Sequence, residues 1–200
     1  MKILFATSNQ HKLAEVQSIL EPHGIEVVGL NAIETAIEEP IEDSDTFAGN
    51  AKIKATGYAK ATGKRCMADD SGLVVDALGG DPGVYSARFA GIGSTRKERD
   101  SANNELLLEK LRGVLEPSRS ARFICAICIA DPDGTIVAEA DGAFEGVIAG
   151  SPSGENGFGY DPLLFLPNIG KTIAELSPKE KNMRSHRGQA VQKILKLIEH

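Results

Sequence analysis

The chain's first segment, up to Leu30, narrows the choice of folds most. Lys2 to Ala6 is a short apolar run suited to a strand, and Thr7-Ser8-Asn9-Gln10-His11-Lys12 is a polar turn. Leu13, Val16, Ile19 and Leu20 then recur at the 3-4 spacing of one helical face. Ile25 to Leu30 reads as a second strand. A β-loop-α-β opening of this kind points to a layered α/β architecture, because the helix must bury its apolar stripe on the sheet that the strands build.

The remaining pattern extends this reading. The acidic stretch Glu34 to Asp45 lacks apolar periodicity and reads as a loop. A second helix is expected from near Thr46, behind a Ser44/Asp45 cap, to Thr62-Gly63. Cys66 to Ala68 reads as a short strand leading into Asp69-Asp70-Ser71-Gly72, with another strand over Leu73 to Leu78. Gly79 to Gly83 is a turn by composition. Thr95 and Glu98 form a capping-box pattern for a helix from Arg96 to Leu115. Three strands, Ala121 to Ala130, Thr135 to Ala140 and Phe144 to Ile148, suggest a meander around the Asp131-Pro132-Asp133-Gly134 turn. A last helix starts near Ser185 and carries Val191, Ile194, Leu195 and Ile198 on one face. With no repeat and no linker, the 200 residues are expected to form a single α/β domain. It has a mixed central sheet flanked by helices, folded as two lobes around a cleft.

Composition excludes some functions. A net charge of −6 repels a polyanion, so nucleic acid is not the expected partner, whereas a few convergent Lys and Arg can still hold a small anion. No run approaches the ~20 apolar residues that span a bilayer. The run Ile3 to Ala6 is too short for a secretory signal, so a cytoplasmic protein is expected. Cys66, Cys125 and Cys128 form an odd set. The C-x-x-C pair lies on a strand, where odd spacing sends the thiols to opposite faces, so inert buried thiols are expected.

Chemistry concentrates in a few segments. The Thr7 to Lys12 turn offers helix N-terminal N–H groups, hydroxyls and a lysine, an arrangement suited to phosphate, although polar strand-helix turns are common. Glu42 in the acidic loop and the pair Asp69-Asp70 supply hard oxygen ligands of the kind that hold Mg²⁺ together with substrate phosphates. Adjacent carboxylates after a buried strand need cations nearby. Asn50 and Lys54 stand four apart on one face of the second helix, which could equally be solvated. Gly157-Phe158-Gly159-Tyr160-Asp161 joins close backbone approach to an aromatic platform for a base, or makes a packed turn. Lys181, His186 and Arg187 put positive charge near a helix start, against the helix dipole, which points to an anionic or carbonyl-bearing ligand.

Taken together, these segments resemble the inosine triphosphate pyrophosphatase family. The carriers are Thr7-Ser8-Asn9 with Lys12, Thr46-Phe47 with Asn50-Ala51 and Lys54-Ala55, Ala68 to Leu73, Pro82 to Arg88, Gly157 to Pro162, and Ser185 to Ala190. They fall in the family's order over nearly the whole chain. The resemblance implies an Mg²⁺-dependent homodimer that converts deaminated purine nucleoside triphosphates (ITP, dITP, XTP) into monophosphate and pyrophosphate, keeping hypoxanthine and xanthine out of nucleic acids. It implies that the cleft binds the nucleotide. Thr7, Ser8, Asn9, Gln10, His11 and Lys12 would bind the triphosphate, with charge added by Lys54 and Lys181. Glu42 and Asp70 would be metal-linked, with Asp70 the general base. Ser71, Phe158, Gly159, Tyr160, Asp161, Lys181, His186 and Arg187 would line the nucleotide pocket. One departure is Gly49, where relatives often carry an acid, and Glu38, Glu39 and Asp43 compete with Glu42 for the metal role.

In-line attack at the α-phosphorus is the expected reaction, with Arg187 or a backbone N–H reading the 6-keto group. Two other readings keep the same residues: a non-catalytic nucleotide sensor, and a pyrophosphatase for modified pyrimidines or standard nucleotides.

Overall fold

A computed structural model of the protein describes residues 1–33 and 37–199. Glu34, at the head of the acidic stretch, lies outside the described residues. The fold is α/β with a seven-stranded mixed sheet of order β2-β1-β3-β4-β5-β6-β7. Its strands are β1 (Lys2–Phe5), β2 (Glu26–Gly29), β3 (Cys66–Val75), β4 (Ser120–Ala130), β5 (Ile136–Ile148), β6 (Leu164–Leu166) and β7 (Lys171–Thr172). The helices are α1 (Gln10–Leu20), α2 (Phe47–Thr62), α3 (Arg96–Lys110), α4 (Pro178–Arg184) and α5 (His186–Ile198). By contact density the chain divides into two compact units.

The first unit comprises residues 1–70, 125–142 and 185–200. Here β1 pairs in parallel with β2, Lys2 opposite Glu26 and Phe5 opposite Gly29, and with β3 through Leu4–Cys66 and Phe5–Met67. Strand alternation sorts the core into two layers. Ile3, Phe5, Val27, Ile127 and Ile129 pack with Leu13, Val16 and Leu20 of α1 and with Val191, Ile194 and Leu195 of α5. Leu4, Ala68 and Ala126 pack with Ala51, Ala55 and Ala59, the small-residue face of α2. Cys125 joins the first layer and Cys128 the second, as the odd spacing requires. All three thiols are free and buried, and burial pushes their pKa values up to about 12.

The second unit comprises residues 71–124 and 143–184. The capping box of Thr95 and Glu98 opens α3. Leu107 and Leu111 pack there against Leu73, Val75, Phe123, Ile148, Tyr160, Leu164 and Ile173. The antiparallel pairs β5/β6 and β6/β7 close this end of the strand order.

Four local expectations are corrected. The cap of α2 is Thr46 itself, whose side chain accepts the Gly49 N–H, while Ser44 receives the Thr46 N–H. β3 runs unbroken through Asp69-Asp70-Ser71-Gly72, and the two acids meet cations described below. α3 ends at Lys110, capped by Leu111, and Leu115 beyond it is exposed. β5 is one long strand rather than two. Gly142, between the two expected strands, lets α5 approach: a Cβ there would lie 2.1 Å from the His186 carbonyl oxygen. β6, β7 and α4 are too short for periodicity to reveal.

Candidate active site

In the first unit, the turn after β1 leads into α1. Asn9 caps the helix, its side-chain oxygen accepting the His11 N–H at 3.0 Å, and Thr7 Oγ1 accepts the Asn9 N–H at 3.2 Å. Ser8, Gln10 and His11 are exposed and Thr7 is half-buried. The first turn of α1 carries no acid, so the positive end of the helix dipole is not offset there.

Lys12, in that same turn, reaches Asp69 on β3, its ammonium 2.9 Å from Oδ2 and 3.1 Å from Oδ1. Arg187, in the first turn of α5, converges on the same Oδ2 of Asp69 through Nη2 at 3.0 Å and Nε at 3.2 Å, and its Nη1 pairs with Glu15 of α1. Arg187 is fully buried. The cation at this helix start is therefore answered by acids of its own unit. Burial pushes the Asp69 carboxyl up, but Lys12, Arg187 and Lys54 outweigh it and hold the group well below the usual carboxylate range. His186 is buried beside Arg187.

Asp70 has a different balance of partners. It lies one residue on, facing α2, where Asn50 Nδ2 donates to its Oδ2 at 3.2 Å and the Lys54 ammonium stands 3.7 Å away. The shared face of Asn50 and Lys54 is thus turned inward. The same ammonium pairs with Glu42 at 2.9 Å, so Lys54 bridges the two carboxylates. Burial raises the Asp70 pKa above its ordinary value, Lys54 and Asn50 recovering only part of the shift. Desolvation lowers the Lys54 pKa, yet Asp69, Asp70 and Glu42 carry it above the ordinary value.

The donor set suits a hard divalent cation. Among the described residues no three or more His, Cys, Asp or Glu side chains converge as a metal cage. Glu42 and Asp70 are nevertheless two carboxylates already drawn to one cationic group. That suffices for Mg²⁺, which is usually held by one or two carboxylates with phosphates and waters completing its shell. Asp69 is committed to Lys12 and Arg187. A side chain at Gly49 would meet Ser44 Oγ at 2.0 Å, so Ser44 fills the space an acid there would need.

In the second unit, the loop after β5 presents Phe158. The Asp161 carboxylate accepts the Phe158 N–H at 2.8 Å and binds the Lys181 ammonium of α4 at 2.8 Å. A Cβ at Gly157 would lie 2.0 Å from that carboxylate oxygen, and its φ of +81° suits glycine. Lys181 Nζ and the Arg96 guanidinium each sit 4.6 Å from the centre of the Phe158 ring. Gly159 is held through its N–H by Asp100 and through its carbonyl by Asn104. Tyr160 turns inward, its hydroxyl donating to the Ser86 carbonyl at 2.9 Å, so it braces the loop from the core. Ser71 is half-buried on β3.

The structure brings Lys12, Glu42, Lys54 and Asp70 together with Asp69 and Arg187. It groups Phe158, Gly159, Asp161 and Lys181 separately. Sequence reasoning missed Glu15, Arg96 and Asp100. For Glu15 the signal was its position one turn after Lys12 on the same helix. For the other two it was the four-residue spacing of Arg96, Asp100 and Asn104.

Comparison with known proteins gives a consistent set of relatives. The profile of the Ham1 family matches residues 3–197. A dITP/XTP pyrophosphatase of an Exiguobacterium species is 51% identical, covering 97% of this chain and 95% of the relative. A solved HAM1 protein from Coxiella burnetii superposes with a TM-score of 0.88 at 39% identity, over 100% of this chain and 98% of the other. The Staphylococcus aureus Ham1 protein does so with a TM-score of 0.86 at 38% identity and the same coverages.

Proposed function

This chain belongs to the Ham1 family, and from that premise we propose that it is a pyrophosphohydrolase of deaminated purine nucleoside triphosphates, ITP, dITP and XTP. The observation that carries the reading is the division of labour between the adjacent acids. Asp69 is saturated by Lys12 and Arg187, while Asp70 faces Asn50 and Lys54 with raised proton affinity. A general base near neutral pH needs that kind of tuning, and a pure binding site gains nothing from clustered acids beside phosphates.

In this mechanism the turn from Thr7 to Lys12 takes the triphosphate with the N–H groups and dipole of α1. Glu42 and Asp70 would hold Mg²⁺, which would offset the phosphate charge that repels a nucleophile. Asp70 orients the attacking water and accepts its proton. Lys54 keeps Asp70 and Glu42 placed and adds positive charge as negative charge moves onto the departing pyrophosphate. In-line attack at the α-phosphorus yields monophosphate and pyrophosphate. Arg187 acts as a positioning residue, orienting Asp69 and through it Lys12. In the second unit, Phe158 to Asp161, with Lys181 and Ser71, serve the nucleoside end. The physiological role we assign is a cytoplasmic homodimer that clears hypoxanthine and xanthine nucleotides. No helix among the described residues is long and apolar enough to cross a membrane.

The test is incubation with Mg²⁺ and each of ITP, XTP, GTP, ATP and dTTP, with products resolved by chromatography and a parallel run in chelator. Monophosphate plus pyrophosphate from ITP and XTP, lost on chelation, supports the reading. Diphosphate plus orthophosphate moves the attack to the γ-phosphorus and breaks the mechanism. Binding of ITP without turnover makes the protein a sensor.

A further inference from the structure

The helix α3 grips the aromatic loop along a single face. Arg96, Asp100 and Asn104 follow one another at four-residue intervals, so their side chains line up on the helix surface. Asp100 accepts the Gly159 N–H at 2.9 Å, Asn104 donates to the Gly159 carbonyl at 3.0 Å, and Arg96 lies 4.6 Å from the Phe158 ring centre. Asp100 and Asn104 fix the backbone of the loop. Arg96 instead lies over its aromatic ring.

The two cations on that ring are unequal. Lys181 is buried and bound to Asp161 at 2.8 Å, so its charge is answered. Arg96 is 43% exposed and stands 3.8 Å from Asp100, too far for a hydrogen bond. Its guanidinium thus lies over the ring, with Asp100 at ion-pair distance and no hydrogen bond closing that pair. A planar guanidinium that stacks on an aromatic face keeps its in-plane N–H donors available at the edge.

We infer that Arg96 is a specificity-determining residue for the 2-position of the base, favouring xanthine; the inference rests on the function proposed above, with Phe158 as the base platform. Hypoxanthine, xanthine and guanine share a 6-keto oxygen and differ at position 2, which carries hydrogen, a carbonyl or an amino group respectively. Arginine has only donors. At position 2 it stabilises the xanthine carbonyl, leaves hypoxanthine unaided, and sets N–H against the N–H of guanine, which is the penalty needed to reject GTP. The xanthine base of a nucleotide also loses an imide proton near neutral pH, whereas hypoxanthine stays neutral, so a cation at the platform favours xanthine further. The charged groups facing Arg96 are Asp100 on its own helix, Lys181 over the same ring, and Asp161, which holds Lys181.

The experiment measures kcat/KM for XTP, ITP and GTP across the neutral pH range in the wild type, Arg96→Gln and Arg96→Lys. Arg96→Gln is expected to lower the XTP-to-ITP ratio roughly ten-fold, as loss of a charge-assisted hydrogen bond at a partly solvated site does. Arg96→Lys should keep part of the ratio, and discrimination against GTP should relax in Arg96→Gln. The wild-type ratio should fall as pH drops through the ionisation of the xanthine base, and that dependence should flatten in Arg96→Gln. If Arg96→Gln changes XTP and ITP turnover equally, or changes neither, Arg96 only braces the loop and the inference is overturned while the proposed function stands. A wild type that hydrolyses neither XTP nor ITP overturns the function and this inference with it.

Discussion

Asp69→Asn is the substitution whose consequence can be worked furthest. Asp69 and Arg187 have side chains only 1% exposed, and Asp69 receives bonds from Arg187 and from Lys12. Asparagine keeps the shape, removes the charge, and turns an amide donor toward groups that are themselves donors. Breaking a buried ion pair in this way usually costs ~3–5 kcal/mol, because the remaining charge is left uncompensated. Glu15 still pairs with Arg187, and Lys12 is 17% exposed and can rehydrate. The low end, about 3 kcal/mol, is therefore expected. At about 2–4 °C per kcal/mol for a chain of this size, Tm should fall by roughly 6–12 °C. The acid response gives a second check. The native pKa of Asp69 lies below its ordinary 3.8, so its stabilisation is fully present above that value and is lost as pH falls toward the native one. Calorimetry and urea unfolding should therefore show a constant gap between wild type and variant from neutral pH down to that ordinary value, closing in stronger acid. A gap under about 1 kcal/mol at neutral pH, or one that persists unchanged in acid, would refute the reasoning.

Asp70→Asn should act in the opposite sense on stability: burial raises the Asp70 pKa, so what it contributes is lost as pH rises through that value. At neutral pH the variant should melt higher in calorimetry while turnover in a pyrophosphate-release assay falls by ~10²–10⁴-fold. Gly142→Ala should cost about 1–3 kcal/mol in urea unfolding, because its Cβ would meet the His186 carbonyl; an unchanged midpoint would mean that α5 can retreat freely. The three thiols, buried and raised to about 12, should resist alkylation in the native protein and react only on unfolding. Mass spectrometry after iodoacetamide treatment shows which of these holds.

Features encoded over a few residues were legible in the sequence alone. The apolar spacing of α1 and α5, the Thr95–Glu98 capping box, the glycine after Thr62 and the opposed faces of Cys125 and Cys128 all follow from helical or strand periodicity, which neighbouring residues carry by themselves. The four-residue step from Asn50 to Lys54 likewise marked a shared face, and the chain's likeness to relatives was carried by ordered short motifs. Charge balance was a different matter. Nothing local distinguishes Asp69 from Asp70. Asp69 is locked because Arg187, 118 positions away, folds back onto it and is itself held by Glu15. The close approach of α5 to Gly142 is likewise made by a segment distant in sequence. The grip of α3 on the Phe158 loop joins residues 55 and 59 positions apart. Periodicity is a property of the local backbone, whereas the pairing of buried charges and the close approach of backbones are set by which distant segments the packed core brings together, and only the tertiary structure decided those.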